Sequence, residues 1–132
     1  MGRKIEIMDT TLRDGEQMQN VSYATEEKLT ISKLLLTEVN VDRLELTSAR
    51  VSEGEKQTVK KIVQWSETAD MTDRLEVLSF ADHKKSIDWV KEVGVKRINL
   101  LTKGSLKHCL KQLNQQPEQH FAAIEKTIDY AY

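Results

Sequence analysis

The sequence predicts a parallel α/β architecture in which four strands alternate with helices, and half of a (β/α)8 barrel is favoured over an open doubly wound sheet. Three observations carry this reading. Strand-like apolar segments and helical stripes alternate with no antiparallel hairpin between them, which implies right-handed crossovers. In the second strand segment, Leu44 and Leu46 alternate with Glu45, so a carboxylate lies on the face opposite the leucines. A strand covered by helices on both faces normally reads as continuously apolar, whereas a mid-strand carboxylate suits a barrel mouth where polar groups meet a ligand. Finally, the 132 residues supply four β/α units, about half of the roughly 250 residues of a full barrel.

The elements follow in order. Residues 4–8 form the first strand segment. Thr25 is suited to cap a helix with Glu26 and Glu27 in its first turn, and Ile31, Leu34 and Leu35 form its apolar stripe. Residues 41–47 form the second strand. Ser52 and Glu55 fit a capping box for a helix carrying Val59, Ile62, Val63 and Ser66. Residues 75–80 form the third strand. Asp82 is placed to cap a helix bearing Ile87, Val90 and Val93, which Gly94 ends. Residues 95–102 form the fourth strand, and residues 103–116 hold a short helical turn. Pro117 opens a last helix with Phe121, Ile124 and Ile128 on one face. That helix runs to Tyr132 without a capping glycine or polar tail, so the chain is expected to be an N-terminal, partial catalytic domain (1–132) of a larger enzyme. Its first and fourth strands would present open edges.

Composition narrows the function classes. The net charge of −1 gives no basic footprint for nucleic acid or an anionic membrane. One cysteine, Cys109, excludes an internal disulfide framework and suits a reducing, cytoplasmic compartment. No apolar run approaches the ~20 residues that span a bilayer. Trp65 and Trp89 read as packing residues on helices, and Cys109 as a small buried side chain.

The chemistry concentrates in Asp9-Thr-Thr-Leu-Arg-Asp-Gly-Glu-Gln17, directly after the first strand. Loops after the strands face the active site in β/α enzymes. Asp14 is a hard oxygen ligand suited to Mg, Mn or Zn. Arg13 beside it can hold a carboxylate or stabilise a developing enolate oxygen. The alternative is a loop in which both groups satisfy backbone around Gly15. Glu45 is either a metal-shell or substrate-orienting carboxylate or one side of a buried ion pair with Arg13 or Arg43. Gln17 either donates to a substrate carbonyl or is a surface amide.

The run from Asp9 to Gln17 closely resembles the opening signature of the 2-isopropylmalate, homocitrate and citramalate synthase family, metal-dependent barrel enzymes related to hydroxymethylglutaryl-CoA lyase. Leu44-Glu-Leu-Thr-Ser-Ala-Arg-Val-Ser-Glu-Gly-Glu55 and Arg97-Ile-Asn-Leu-Leu-Thr-Lys-Gly-Ser-Leu-Lys-His-Cys109 extend the resemblance over nearly the whole chain and look most like the 2-isopropylmalate synthase branch. The resemblance implies a (β/α)8 barrel that condenses acetyl-CoA with a 2-oxo acid, 2-oxoisovalerate in leucine biosynthesis, with a divalent metal as cofactor and a homodimeric full-length enzyme. It places Asp14 at a metal-ligand position, Arg13 and Glu45 in catalytic positions, and Arg13 and Gln17 beside the oxo acid. Thr102 and Ser105, after the fourth strand, are weaker matches for substrate contacts. The homocitrate, citramalate and lyase branches stay open, as does a reading from another class, a non-catalytic half-barrel that associates with itself.

Two departures stand out. Where the family continues toward a glycine after Gln17, this chain reads Met18-Gln19-Asn20, although Asn tolerates a left-handed turn. The family's His-x-His pair of metal ligands is absent: His83, His108 and His120 are isolated, with His83 read as part of a helix start and the other two as surface or packing residues.

Overall fold

The computed structural model describes Gly2 and residues 4–132. Four strands, β1 (Met8–Asp9), β2 (Arg43–Ser48), β3 (Leu75–Phe80) and β4 (Arg97–Leu101), form one parallel sheet in the order β1-β2-β3-β4. Helices α1 (Thr25–Leu34), α2 (Glu53–Thr68) and α3 (Lys85–Val93) are the crossovers, and α4 (Leu106–Lys111) and α5 (Pro117–Ala131) follow β4. Sequential strand order with every pair parallel is the pattern of four consecutive units of a (β/α)8 barrel. Among the described residues, no helix is long and apolar enough to cross a membrane.

The core lies between the sheet and the helices. Leu44, Leu46, Leu75 and Val77 project from β2 and β3 onto Val59, Ile62 and Val63 of α2 and Val90 and Val93 of α3. Trp65 and Trp89 pack at its margin, and Cys109 is buried, as expected. Gly94 ends α3 at φ +83, and a Cβ there would meet Val63 Cγ1 at 3.2 Å, so both the left-handed backbone and the close helix contact require glycine.

Some elements depart from expectation for identifiable reasons. β1 shrinks to two residues because the backbone of residue 7 is claimed elsewhere. Its carbonyl accepts the N–H groups of Asp42 and Arg43, and its N–H donates to Asp42 Oδ2 at 2.8 Å. Ile5 and Ile7 remain exposed, at 76% and 59%. Ala24, not Thr25, stands at the cap of α1, because the Thr25 hydroxyl is bonded 2.7 Å from that of Thr58 on α2. The buried positions of that helix are Lys28 and Ser32 rather than Leu34, and a π-helical turn, Leu35–Val39, then buries Leu36. Ser52 caps α2 by accepting the Glu55 N–H at 3.0 Å, but the Glu55 carboxylate turns to Lys28 rather than back to the cap. In α5 the buried residues are His120 and Thr127, and Phe121 is 62% exposed. The apolar stripe read from the sequence is thus rotated by about one residue from the face that packs.

His120, one of the two histidines expected at the surface or in packing, is buried, and its burial has a polar purpose. Nε2 accepts the Lys103 N–H at 3.0 Å, which ties the start of α5 to the segment after β4. His83 adopts φ +65, and its N–H donates to Thr127 Oγ1 at 2.9 Å.

Asp82 performs the capping expected of it, although α3 itself begins at Lys85. Its carboxylate accepts the Ser86 N–H at 2.9 Å and the Ser86 hydroxyl at 2.7 Å, and takes Arg50 Nη1 at 3.0 Å. Burial raises the Asp82 pKa, but the Ser86 bonds and Arg50 more than offset this, so it lies below the ordinary aspartate value. A carboxyl depressed on folding contributes stability above its unfolded pKa, near 4, and loses that contribution as pH falls through the lower folded value. Asp82→Asn is therefore expected to lower the urea midpoint at pH 7. The gap to wild type should narrow below about pH 4, and a gap independent of pH would contradict this account.

Candidate functional site at the carboxyl end of the sheet

The segment after β1 folds tightly. The Thr10 carbonyl accepts the N–H groups of Arg13, Asp14 and Gly15, at 3.2, 2.8 and 3.2 Å. Asp9 accepts the Thr11 N–H at 2.9 Å and its hydroxyl at 3.1 Å, a local turn that competes with further strand. A 3-10 turn, Gly15–Gln17, follows. Leu12 is fully buried and anchors this turn in the core, while Arg13 is directed over the sheet.

Arg13 Nε donates to Glu45 Oε2 at 2.6 Å, and Nη1 to Asp14 Oδ1 at 2.8 Å. The other Glu45 oxygen, Oε1, accepts from Asn99 Nδ2 on β4 at 2.8 Å. Glu45 is 0% exposed, and both its oxygens are satisfied from opposite sides. A buried carboxylate needs such partners, since desolvation without them costs several kcal/mol. Glu45, on β2, thus links the segment after β1 to β4, two strands away in the sheet.

The same face carries a second ionic group toward the amino ends of the strands. Glu76 is the β3 neighbour of Glu45 in the register, so two carboxylates sit side by side. Like charges directly opposite are destabilising, and each has its own guanidinium: Arg13 for Glu45, and Arg43, at 2.8 Å, for Glu76. Arg43 also pairs with Glu6. Its two carboxylates raise the Arg43 pKa, and the bond from Arg43 lowers that of Glu6. Of the two partners open to Glu45 from sequence, the structure selects Arg13.

Between Glu45 and Ser48 the β2–β3 register shifts by an irregularity, and beyond it the Ala49 N–H donates to the Leu78 carbonyl at 2.7 Å. Bulges of this kind re-aim side chains next to active sites. Three non-glycine residues after successive strands adopt positive φ: Asn20 at 64°, Arg50 at 67° and His83 at 65°. Asn20 takes the left-handed conformation that asparagine tolerates. A left-handed arginine is uncommon, and the Arg50 bond to Asp82 helps hold it there.

A cavity of about 180 Å³ opens at this end, lined by Leu12, Arg13, Glu16, Gln17, Thr47 and Ser48 among others. It is slightly larger than the ~150 Å³ cavity that accommodates benzene. Gln17 is exposed on its rim. Thr102 and Ser105 also follow a strand at this end, but Ser105 Oγ is engaged as the cap of α4, where it accepts the His108 N–H at 3.2 Å. The structure brings Arg13, Asp14 and Glu45 into one bonded group and places Thr102 and Ser105 outside it. Asn99 was missed by sequence reasoning. The available signal was a polar residue within β4 at alternating spacing from Arg97 and Leu101.

The HMGL-like family model matches residues 4–132. A 2-isopropylmalate synthase of Pyrococcus furiosus is 38% identical over 135 residues, covering 99% of this chain and 26% of that protein. One from Sulfurisphaera tokodaii is 32% identical, covering 98% of this chain and 32% of the relative. A Methanopyrus kandleri protein whose name assigns it provisionally to (R)-citramalate synthase is 30% identical, with 97% and 24% covered. The chain thus spans about a quarter to a third of the length of these relatives. With a family match over nearly all its residues, the chain belongs to the HMGL-like family.

Proposed function

We propose that this chain forms one wall of the active site of a 2-isopropylmalate synthase-like acyltransferase that condenses acetyl-CoA with 2-oxoisovalerate. The observation that carries the reading is the Arg13–Glu45–Asn99 group at the carboxyl end of the sheet. A guanidinium held through Nε by a buried carboxylate keeps Nη2 available for an incoming oxygen, and its orientation costs little reorganisation when charge develops. Arg13 would stabilise the enolate or alkoxide oxygen, Glu45 and Asn99 would fix the plane of the guanidinium, and Gln17 would donate to the oxo acid from the rim.

A divalent metal, as the resemblance implies, would polarise the oxo-acid carbonyl. Asp14 is the carboxylate at the matching position, and its Oδ1 is bonded to Arg13. Among the described residues no three His, Cys, Asp or Glu side chains converge to hold an ion. These residues do not by themselves make a closed metal site.

The test is a panel of 2-oxo acids with acetyl-CoA and the native gene product, with released CoA read by a thiol reagent. We expect kcat/KM for 2-oxoisovalerate to exceed that for pyruvate by roughly tenfold or more, the scale set by missing methyl groups in an apolar pocket. Preference for pyruvate would assign the citramalate branch. No CoA release with any oxo acid would favour a non-catalytic half-barrel and end the synthase reading.

A further inference from the structure

Lys28 is 1% exposed in the middle of α1. Lysine is almost never buried unless paired, and this one is paired twice. Nζ donates to Glu16 Oε2 at 2.7 Å and to Glu55 Oε1 at 2.6 Å. One ammonium therefore joins the 3-10 turn after β1, helix α1 and the first turn of α2. Glu16 is the hub, since its other oxygen accepts the Tyr23 N–H at 3.0 Å, which closes residues 16–23 into a loop anchored at both ends.

A buried ionic cluster is a weak source of stability, because apolar residues of similar volume often serve as well. What it provides is a fixed distance between the groups it joins. Lys28 does not line the 180 Å³ cavity, but Glu16, Arg13 and Gln17 do. Moving Glu16 moves a turn whose backbone is continuous with Arg13 on one side and Gln17 on the other. A functional group is held to within a fraction of an ångström only when its supporting residues are themselves locked.

We propose that Lys28 is a positioning residue: through its ion pair with Glu16 it fixes the turn that carries Arg13 and Gln17, and so keeps the Arg13 guanidinium seated on Glu45. The kinetic consequence rests on the synthase reading above, whereas the structural consequence does not.

The test follows the Arg13 Nε–H, which the 2.6 Å bond to Glu45 shields from water, by nitrogen-15 NMR of the full chain. In Lys28→Met and Glu16→Ala its exchange with solvent is expected to accelerate at least roughly tenfold, and the double variant should exchange no faster than either single one, because both break the same link. Val90→Ala, a core truncation in α3, should lower stability and leave the Arg13 signal unchanged. Should Lys28→Met fail to fold, Glu16→Ala carries the test, since the Glu16 side chain is 27% exposed and leaves the Lys28–Glu55 pair intact. Arg13 exchange within twofold of wild type in the folded variants would overturn the proposal. In the native gene product both variants should lower kcat roughly tenfold or more with KM for acetyl-CoA nearly constant. Absence of CoA release by the wild type would remove the synthase reading and leave the NMR result to decide the role of Lys28.

Discussion

Glu45→Ala is expected to cost about 3–5 kcal/mol of folding stability, the scale for breaking a buried ion pair by removing one partner. The loss has three sources. Arg13 keeps Asp14 but loses its Nε acceptor, the Asn99 amide loses its acceptor, and a cavity opens between β2 and β4. Glu45→Gln keeps the volume and one acceptor oxygen, so it should cost less, about 1–3 kcal/mol. Urea unfolding with a constant slope measures both. Asn99→Ala combined with Glu45→Ala should cost less than the sum of the two single changes, since they share a bond. Equal midpoints for wild type and Glu45→Ala would show that the linkage seen here contributes no net stability.

Arg13→Ala in the native gene product is expected to lower kcat by about a hundred- to a thousandfold, the typical cost of removing one preorganised donor to a developing oxyanion. KM for acetyl-CoA should change far less, because the lost interaction belongs to the transition state. Arg13→Lys should recover little. An ammonium lacks the planar fork that engages Glu45 through Nε while presenting Nη2 elsewhere. Steady-state kinetics on folded, purified variants decide the matter, and near-normal turnover in Arg13→Ala would remove this residue from the proposed role. Asp14→Ala is expected to be comparably damaging if Asp14 ligates a metal, and far milder if its part is limited to the Arg13 bond.

The fold was most legible where burial and sequence pattern coincide. β3 is bounded as expected because Leu75 to Leu78 are all buried and the chain turns sharply on either side. α2 and α3 were legible because their apolar residues recur at helical spacing with recognisable caps. β1 was not, since Ile5 and Ile7 are apolar without being covered. The packing face of α5 was misplaced for the opposite reason. It buries a histidine and a threonine, whose hydrogen bonds to the main chain depend on residues 17 and 44 positions away. Sequence periodicity rewards hydrophobicity and does not register a polar side chain buried for a distant bond.

The same limit applies to the site. Arg13, Asp14 and Glu45 were singled out by motif and alternation, and the structure joins them. Asn99 completes the group from 54 residues beyond Glu45, and no local pattern connects the two. Lys28 was passed over because a lysine on a helix reads as solvent-facing until two carboxylates from other elements are placed around it. The capping bond of Ser105 Oγ to the His108 N–H was likewise not anticipated from the sequence.

The order β1-β2-β3-β4 has a consequence for how the chain acquires its shape. Each strand pairs with the one made just before it, so no strand waits for a distant successor, and assembly can proceed in the direction of synthesis. The Glu45 carboxylate is an exception to that schedule. It leaves the ribosome with Arg13 already made and Asn99 still to come. The second of its bonds therefore closes last, as a latch that registers the arrival of β4.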